Sequence, residues 1–415
     1  MMTKIVFVVL GELSSGELTI AYEFASRLPN DIYDTYFLIP EKNKSFLDDR
    51  GIKNKTLSIW EDPQINKKNI DKFINEVNPD FFIISDVYTM EYAQSWTGLN
   101  FAALKEYRIP IICIDEYEYT NAGYTVDYYG SIIRNLPPLI EQGDYILCNC
   151  PFNKKREESE SRIKYFSLYG EKLMLDESKK KQVRERFKVE DDEKIIFTAG
   201  SRWEMLNVHR LPALGMFLKW MPVILQNYIS ALNRKITVIH VSPTPWNEFE
   251  SDLVRYHHFN YLPPSEFDLY LLASDLFVTL NVVSVTLSKA VYGAVPSVVF
   301  QNHKIIDFNK LSNRLSQMPH WYREMAQELK IAYPFRAGVF GWHRLLKTAL
   351  EDNPYTQTYI EAPFFKVSEA ISALEKYLYD QTAIEELKQR QLEYVDKMLE
   401  LPTPDEVMRS IMSDT

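Results

Sequence analysis

DLFVTLNVVSVTLSKAVYGAVPSVVFQ, residues 275–301, reads as an apolar run, a loop of small hydroxylated residues, a short helical stretch, then Gly-Ala-Val-Pro and a second apolar run. Runs apolar on both faces and joined through a helix belong to a parallel sheet covered on both sides. A helix start leaves N–H groups unpaired at the positive end of its dipole. Ser284, Val285 and Thr286, with Ser288 behind them, can therefore hold a phosphate without a metal. Taken alone, the stretch reads first as a plain βαβ corner capped by a hydroxyl, so the rest of the chain has to decide.

Working outward, apolar runs at 194–199, 236–241, 259–262, 276–280 and 297–300 alternate with stretches of helical period. The first half repeats the pattern, with runs at 5–10, 36–39, 81–85, 111–114 and 145–148 and helical stretches at 18–28 and 69–77. Both halves are expected to be doubly wound α/β domains. Between residues 151 and 192 the chain turns charge-dense (NKKREESESR, then LDESKKKQVRERFKVEDDE), which predicts a solvated linker with a surface helix. Residues 310–363 show no clean strand, and 367–378 and 384–399 read as helices with charged faces. The expected organisation is a Rossmann-like domain over 1–155, a linker and crossover over 156–192, a second Rossmann-like domain over 193–375 and C-terminal helices over 376–415. Two such domains in tandem predict a cleft lined by residues 14–17 and 284–289.

Composition narrows the function. A chain of 415 residues, 46% hydrophobic and 25% charged, has material for two cores. A net charge of −10, from 47 basic and 57 acidic residues, argues against nucleic acid as the main partner but allows a small anionic ligand in a local pocket. Cys113, Cys148 and Cys150 are too few for a disulfide framework and predict buried thiols in a reducing compartment, by default the cytoplasm. The apolar start, MMTKIVFVVLGEL, stops at Glu12, too soon for a signal peptide, and reads as a first strand. Residues 211–225 contain Pro212, Lys219 and Pro222 and are too short to cross a bilayer, which leaves peripheral membrane contact and the oligomeric state open. No metal site is expected: no Asp-x-Asp ends a predicted strand, and the seven His residues lack ligand spacing, His257-His258 reading as a surface pair.

Chemistry-bearing residues gather at predicted strand ends. Gly11-Glu12-Leu13-Ser14-Ser15-Gly16-Glu17 follows the first run without G-x-G-x-x-G spacing, which moves oxidoreductases down the order. Thr198-Ala199-Gly200-Ser201-Arg202 combines a glycine that lets backbone approach a ligand, a hydroxyl and a guanidinium suited to phosphate. Tyr261-Leu262-Pro263-Pro264-Ser265 precedes a helix and could meet a nucleobase edge. Asp86, Asp115 and Glu116 follow apolar runs where open α/β sheets place ligands, and where acids also serve as plain caps.

Together these segments resemble the GT-B glycosyltransferases, and within them the family 28-type enzymes of peptidoglycan synthesis that transfer N-acetylglucosamine. The resemblance covers the order of elements over most of residues 1–305, with degenerate motifs. The family's glycine-rich first turn ends in a His general base; the matching residues are Ser14, Ser15 and Gly16, then Glu17. Its Gly-Gly-Ser turn is matched by Ala199, Gly200 and Ser201, with Arg202 in place of a polar residue. Its donor-loop Thr, Ser and Glu are matched by Thr286, Ser288 and Lys289. A Glu can still take a proton. Lys289 cannot accept the ribose hydrogen bonds that the family's Glu accepts. Retaining GT-B enzymes carry paired glutamates eight residues apart where this chain has Asn281 and Lys289, so the resemblance implies inversion.

What it implies is an inverting, metal-independent glycosyltransferase that uses a nucleotide-diphosphate sugar as co-substrate and no other cofactor. Glu17 would be the base. Gly200, Ser201, Arg202, Leu262, Ser284, Val285, Thr286, Ser288 and Lys289 would hold the donor. Ser14, Ser15, Gly16, Asp86, Asp115 and Glu116 would hold the acceptor. The rival readings are a sugar-nucleotide epimerase or hydrolase of the same fold and a non-catalytic binding or scaffold protein, the latter suggested by Lys289.

Overall fold

The computed structural model describes the chain except residues 1, 13–14, 123–124, 127–131, 134–138, 157–159, 202–211, 303–311, 332–345 and 415. It divides into two compact units. The first comprises Met1–Glu171, Thr348–Asn353 and Asp396–Thr415, the second Lys172–Lys347 and Pro354–Val395.

The first unit is built on seven parallel strands: β1 (Thr3–Val8), β2 (Tyr33–Pro40), β3 (Lys53–Leu57), β4 (Phe81–Ile84), β5 (Ile111–Asp115), β8 (Tyr145–Cys150) and β9 (Ile163–Ser167). Their order is β3-β2-β1-β4-β5-β8-β9, and a two-stranded hairpin, β6 (Thr125–Val126) and β7 (Ile132–Ile133), stands apart. Helices cover both faces, so Ile5, Val6, Phe7 and Val8 are all buried. Register places Phe7 opposite Phe37, and their rings stack at 4.8 Å. Phe24, from the helix Gly16–Ala25, meets Phe166 of β9 edge-on at 4.9 Å.

The second unit repeats the plan with six parallel strands in the order β12-β11-β10-β13-β14-β15. They are β10 (Lys194–Ala199), β11 (Ile236–Val241), β12 (Val254–Phe259), β13 (Leu276–Thr279), β14 (Ser297–Gln301) and β15 (Ile360–Pro363). Its core brings Phe217 and Tyr228 of the helix Pro212–Ser230 against Phe364, whose carbonyl accepts from the Tyr228 hydroxyl at 2.6 Å. Tyr322 donates likewise to the carbonyl of Phe365 at 2.7 Å.

The two Rossmann-like sheets followed by C-terminal helices agree with the expected fold class, and the differences are local. β3 and β15 occur where the sequence predicts no strand, the run expected at 259–262 is the end of a strand, β12, that begins five residues earlier at Val254, and residues 156–192 are not linker throughout, since they include β9 and the helix Glu177–Arg186. The C-terminal helices do not form one body. The helix Pro404–Asp414 belongs to the first unit, burying Val407, Met408 and Ile411 and donating Arg409 Nε to Asp405. It is tied to that unit by Tyr33 donating to Asp405 at 3.1 Å and Lys164 donating to Ser410 at 2.9 Å.

Candidate functional site

Topology singles out one place in each sheet. From β1 the first-unit chain winds outward to β2 and β3, then crosses back to β4, β5, β8 and β9 on the other side. Loops leaving β1 and β4 therefore diverge, and a crevice opens at the carboxyl ends of these neighbours. The second unit switches direction between β10 and β13 in the same way.

At the first switch point the helix Gly16–Ala25 starts one residue before Glu17. Glu17 is buried, and its Oε1 accepts from the Thr89 hydroxyl at 3.3 Å. Its carboxylate folds back over the end of β1, where a β-carbon built on Gly11 would overlap it. Gly11 thus leaves the space that the end of the Glu17 side chain occupies. Thr89 also donates to Asp86 Oδ2 at 2.8 Å. A hydroxyl has one proton to give, so two carboxylates share one donor.

The other acids divide by role. Asp86 Oδ1 accepts from the N–H groups of Tyr88 (2.7 Å) and Thr89 (3.2 Å), capping the helix Val87–Thr97. Asp115 accepts from the N–H groups of Tyr117, Tyr119 and Thr120 and from the Thr120 hydroxyl, all within 3.2 Å, and so holds the turn after β5. Burial raises the pKa of both. Glu116 is different. Burial first, then the charges of Asp86 and Glu17, push its carboxyl well above the ordinary range. Its Oε1 has no hydrogen-bond partner. Among the acceptor candidates, Ser15 is exposed and Gly16 half-buried, while Ser14 lies outside the described residues. Thr89 and Glu118 were not singled out from sequence. Thr89 stands three residues after Asp86, a capping spacing that could have found it; Glu118 is buried and paired to Arg156 at 3.2 Å.

At the second switch point Gly200 donates to the carbonyl of Val241 at 2.9 Å as β10 ends, with Ser201 next and Arg202 outside the described residues. The neighbouring loop after β13 is held by Asn281, which accepts from Val283 N–H at 3.0 Å. Ser284 caps the helix Val285–Tyr292 by accepting from Thr286 N–H at 3.1 Å. Val285 and Thr286 are half-buried at this helix start. Ser288 points the other way, its buried hydroxyl 3.2 Å from that of Tyr355. Leu262 follows β12, two strands from β10, with its side chain buried and Tyr261 beside it exposed. Lys289 is neither in solvent nor at the helix start: its Nζ pairs with Asp268 of the helix Pro264–Leu272 at 2.7 Å. Asp268 carried no signal in the sequence, because only folding brings the two helices together.

The histidine pair is not a surface pair. His257 and His258 lie within β12 and are half-buried. His258 Nε2 donates to the carbonyl of Ser242 at 2.8 Å, and His257 packs against Phe187 at 5.0 Å. Burial, then the charge of His258, lowers His240 to about 3 and keeps it neutral. Among the described residues no group of three or more His, Cys, Asp and Glu side chains could hold a metal ion, and no helix is long and apolar enough to cross a membrane.

Two parallel-sheet α/β units with C-terminal helices define the GT-B fold, and solved structures of that class match the chain from end to end. Spinosyn rhamnosyltransferase SpnG complexed with thymidine diphosphate matches with a TM-score of 0.55 at 11% identity, over 99% of this chain and 100% of that one. Spinosyn forosaminyltransferase SpnP gives 0.55 at 11% identity, over 99% and 98%. Anabaena Alr3699/HepE in complex with UDP gives 0.54 at 10% identity, over all of both chains. No curated protein matches by sequence. The chain belongs to the family of unknown function DUF6365, whose model matches residues 24–415.

Proposed function

We propose that the protein is an inverting, metal-independent glycosyltransferase that moves a hexose-type sugar from a nucleotide-diphosphate donor to an acceptor hydroxyl. Glu17 takes the proton of the acceptor hydroxyl, whose oxygen attacks C1 of the sugar. The C1–oxygen bond to the diphosphate breaks, and its electron pair leaves with the phosphate. Ser201, Arg202 and the helix start at Ser284–Thr286 stabilise the leaving diphosphate, with the segment around Leu262 beside the nucleobase. Ser15, Gly16 and Glu116 face the acceptor, with Ser14 as a further candidate, while Asp86 caps the helix Val87–Thr97 and Asp115 holds the turn that follows Glu116. The observation that carries this reading is the buried Glu17 carboxylate at the first sheet's switch point, in a chain whose fold matches glycosyltransferases over its whole length. The family 28-type likeness adds the order of motifs. Three buried free thiols fit a reducing, cytoplasmic setting.

The test is mass spectrometry of products after incubating the protein with TDP- and UDP-sugars and host-cell extract. A glycosylated product supports the reading. Free sugar or an altered nucleotide sugar formed without acceptor would assign a hydrolase or epimerase instead. One observation favours a second reading, a binding or scaffold protein: Lys289 is engaged by Asp268 in the donor segment. In that case neither TDP nor UDP shifts the melting temperature.

A further inference from the structure

An open pocket of about 840 Å³ lies in the first unit, a volume in the range of small-molecule sites. Ile111 and Tyr145, the first residues of β5 and β8, line it, as does Asp414 of the last helix. It therefore sits at the amino ends of the strands, whereas Glu17 and Glu116 follow carboxyl ends.

Two of its cations are not neutralised. Lys105 and Arg108 pair with no carboxylate among the described residues, and the Lys105 Nζ lies 5.1 Å from the centre of the Phe101 ring instead. Arg108 holds φ 57°, a conformation glycine adopts freely, so this turn keeps a guanidinium where a residue without a side chain would be less strained. Arg162, also lining the pocket, is anchored by donating to the Glu141 carbonyl at 2.9 Å and to Glu160 at 2.7 Å. Of the two acids, Asp414 is 3.5 Å from Lys164, and Asp144 Oδ2 accepts from the Ile111 N–H at 2.7 Å. Asp144 Oδ1 is left as an acceptor.

A planar guanidinium beside an ammonium suits a phosphate, which offers several oxygens and close to two charges at neutral pH. A carboxylate offers two oxygens and one charge. Asp144 repels a bare anion but accepts from a hydroxyl carried next to the phosphate. The net charge of −10 disfavours a nucleic acid as the source of that phosphate.

We infer that this pocket binds a small hydroxylated phosphate monoester of the glycerol phosphate or sugar phosphate class, with the phosphate on Arg108 and Lys105 and a hydroxyl on Asp144. The inference does not rest on the transferase reading.

The experiment is calorimetric titration of the full chain, at neutral pH and fixed ionic strength, with glycerol phosphate, methyl phosphate and glycerate. Glycerol phosphate should bind saturably and at least ~10-fold more tightly than the other two. Arg108→Gln and Lys105→Gln, at exposed side chains, should each weaken it by ~10-fold or more, and Asp144→Asn should erase the difference between the two phosphates. Circular dichroism establishes that each variant is folded, and amide exchange should show protection by glycerol phosphate over residues 105–111 and 144–145. No saturable binding, unchanged affinity in folded Arg108→Gln, equal binding of the two phosphates, or protection confined to residues 284–289 would overturn the inference. Co-sedimentation with phosphatidate vesicles that is lost in Arg108→Gln would overturn it too, assigning the pocket to a lipid headgroup whose esterified glycerol has no hydroxyl for Asp144.

Discussion

The proposed base is a single carboxylate, with a glycine beside it that leaves it room. General-base catalysis contributes about 10²–10⁴-fold, so Glu17→Gln should lower kcat by that order and leave TDP or UDP binding nearly unchanged. Near-full turnover in that variant would move the base elsewhere. Gly11→Ala tests the same carboxylate from the other side, because its β-carbon needs the space Glu17 fills. The carboxylate ends a flexible side chain and can swing aside, so stability should change little while turnover falls as the carboxylate is displaced; an alanine variant with unaltered kcat would mean that the carboxylate's position is unimportant. Glu116 gives a pH signature. The folded state holds its proton more tightly than the unfolded chain, where the carboxyl titrates near 4.5. Its stabilising effect is therefore fully present below that pH and is lost as pH rises through the raised folded value. Glu116→Gln should match the wild type in melting temperature near pH 4 and exceed it increasingly towards neutrality. A gap that widens on acidification instead would reverse the assignment.

At the scale of elements, the helices Pro264–Leu272 and Val285–Tyr292 are joined by the Lys289–Asp268 pair, with the Lys side chain 13% and the Asp side chain 36% exposed. Such a partly exposed pair is worth about 1 kcal/mol at most. Lys289→Glu should therefore destabilise by more than Lys289→Ala, since it sets two carboxylates together, and adding Asp268→Lys should restore most of the loss. Chemical denaturation of the two single variants and the double variant measures this; a double variant no better than Lys289→Glu would deny the pair a structural role. The strands teach a related lesson. Interior strands such as Ile5, Val6, Phe7 and Val8 of β1 are buried on both faces, and their unbroken apolar runs were legible. The strands missed or displaced in the reading, β3, β9, β12 and β15, all stand at sheet edges. Edges carry charge, polar residues or Pro, as in KNKTL, VRYHHF and IEAP, and those residues hide the apolar pattern.

Over the whole molecule, the last helix is assigned to the unit that begins the chain. Val407, Met408 and Ile411 are buried, each worth about 1.5–3 kcal/mol against exposure. Deleting residues 400–415 should therefore raise amide exchange in β9 and β2 of the first unit and leave β10–β14 of the second unit protected. Uniform loss of protection in both sheets, or none in either, would contradict the division.

Local apolar period was enough to read two parallel sheets, the hydroxyl-rich loop before the helix Val285–Tyr292 and the acids at strand ends, because burial on both faces and helix capping are written within a few neighbouring residues. The roles of those acids were not written there. Asp86 and Asp115 became caps, while Glu116 was left with an oxygen unpartnered. Glu17 met Gly11 and Thr89, and Lys289 met Asp268. Residues 396–415 joined the first unit from the far end of the chain. Each of these outcomes depends on which groups folding brings within hydrogen-bond or van der Waals range and which it removes from water, and sequence separation does not encode that.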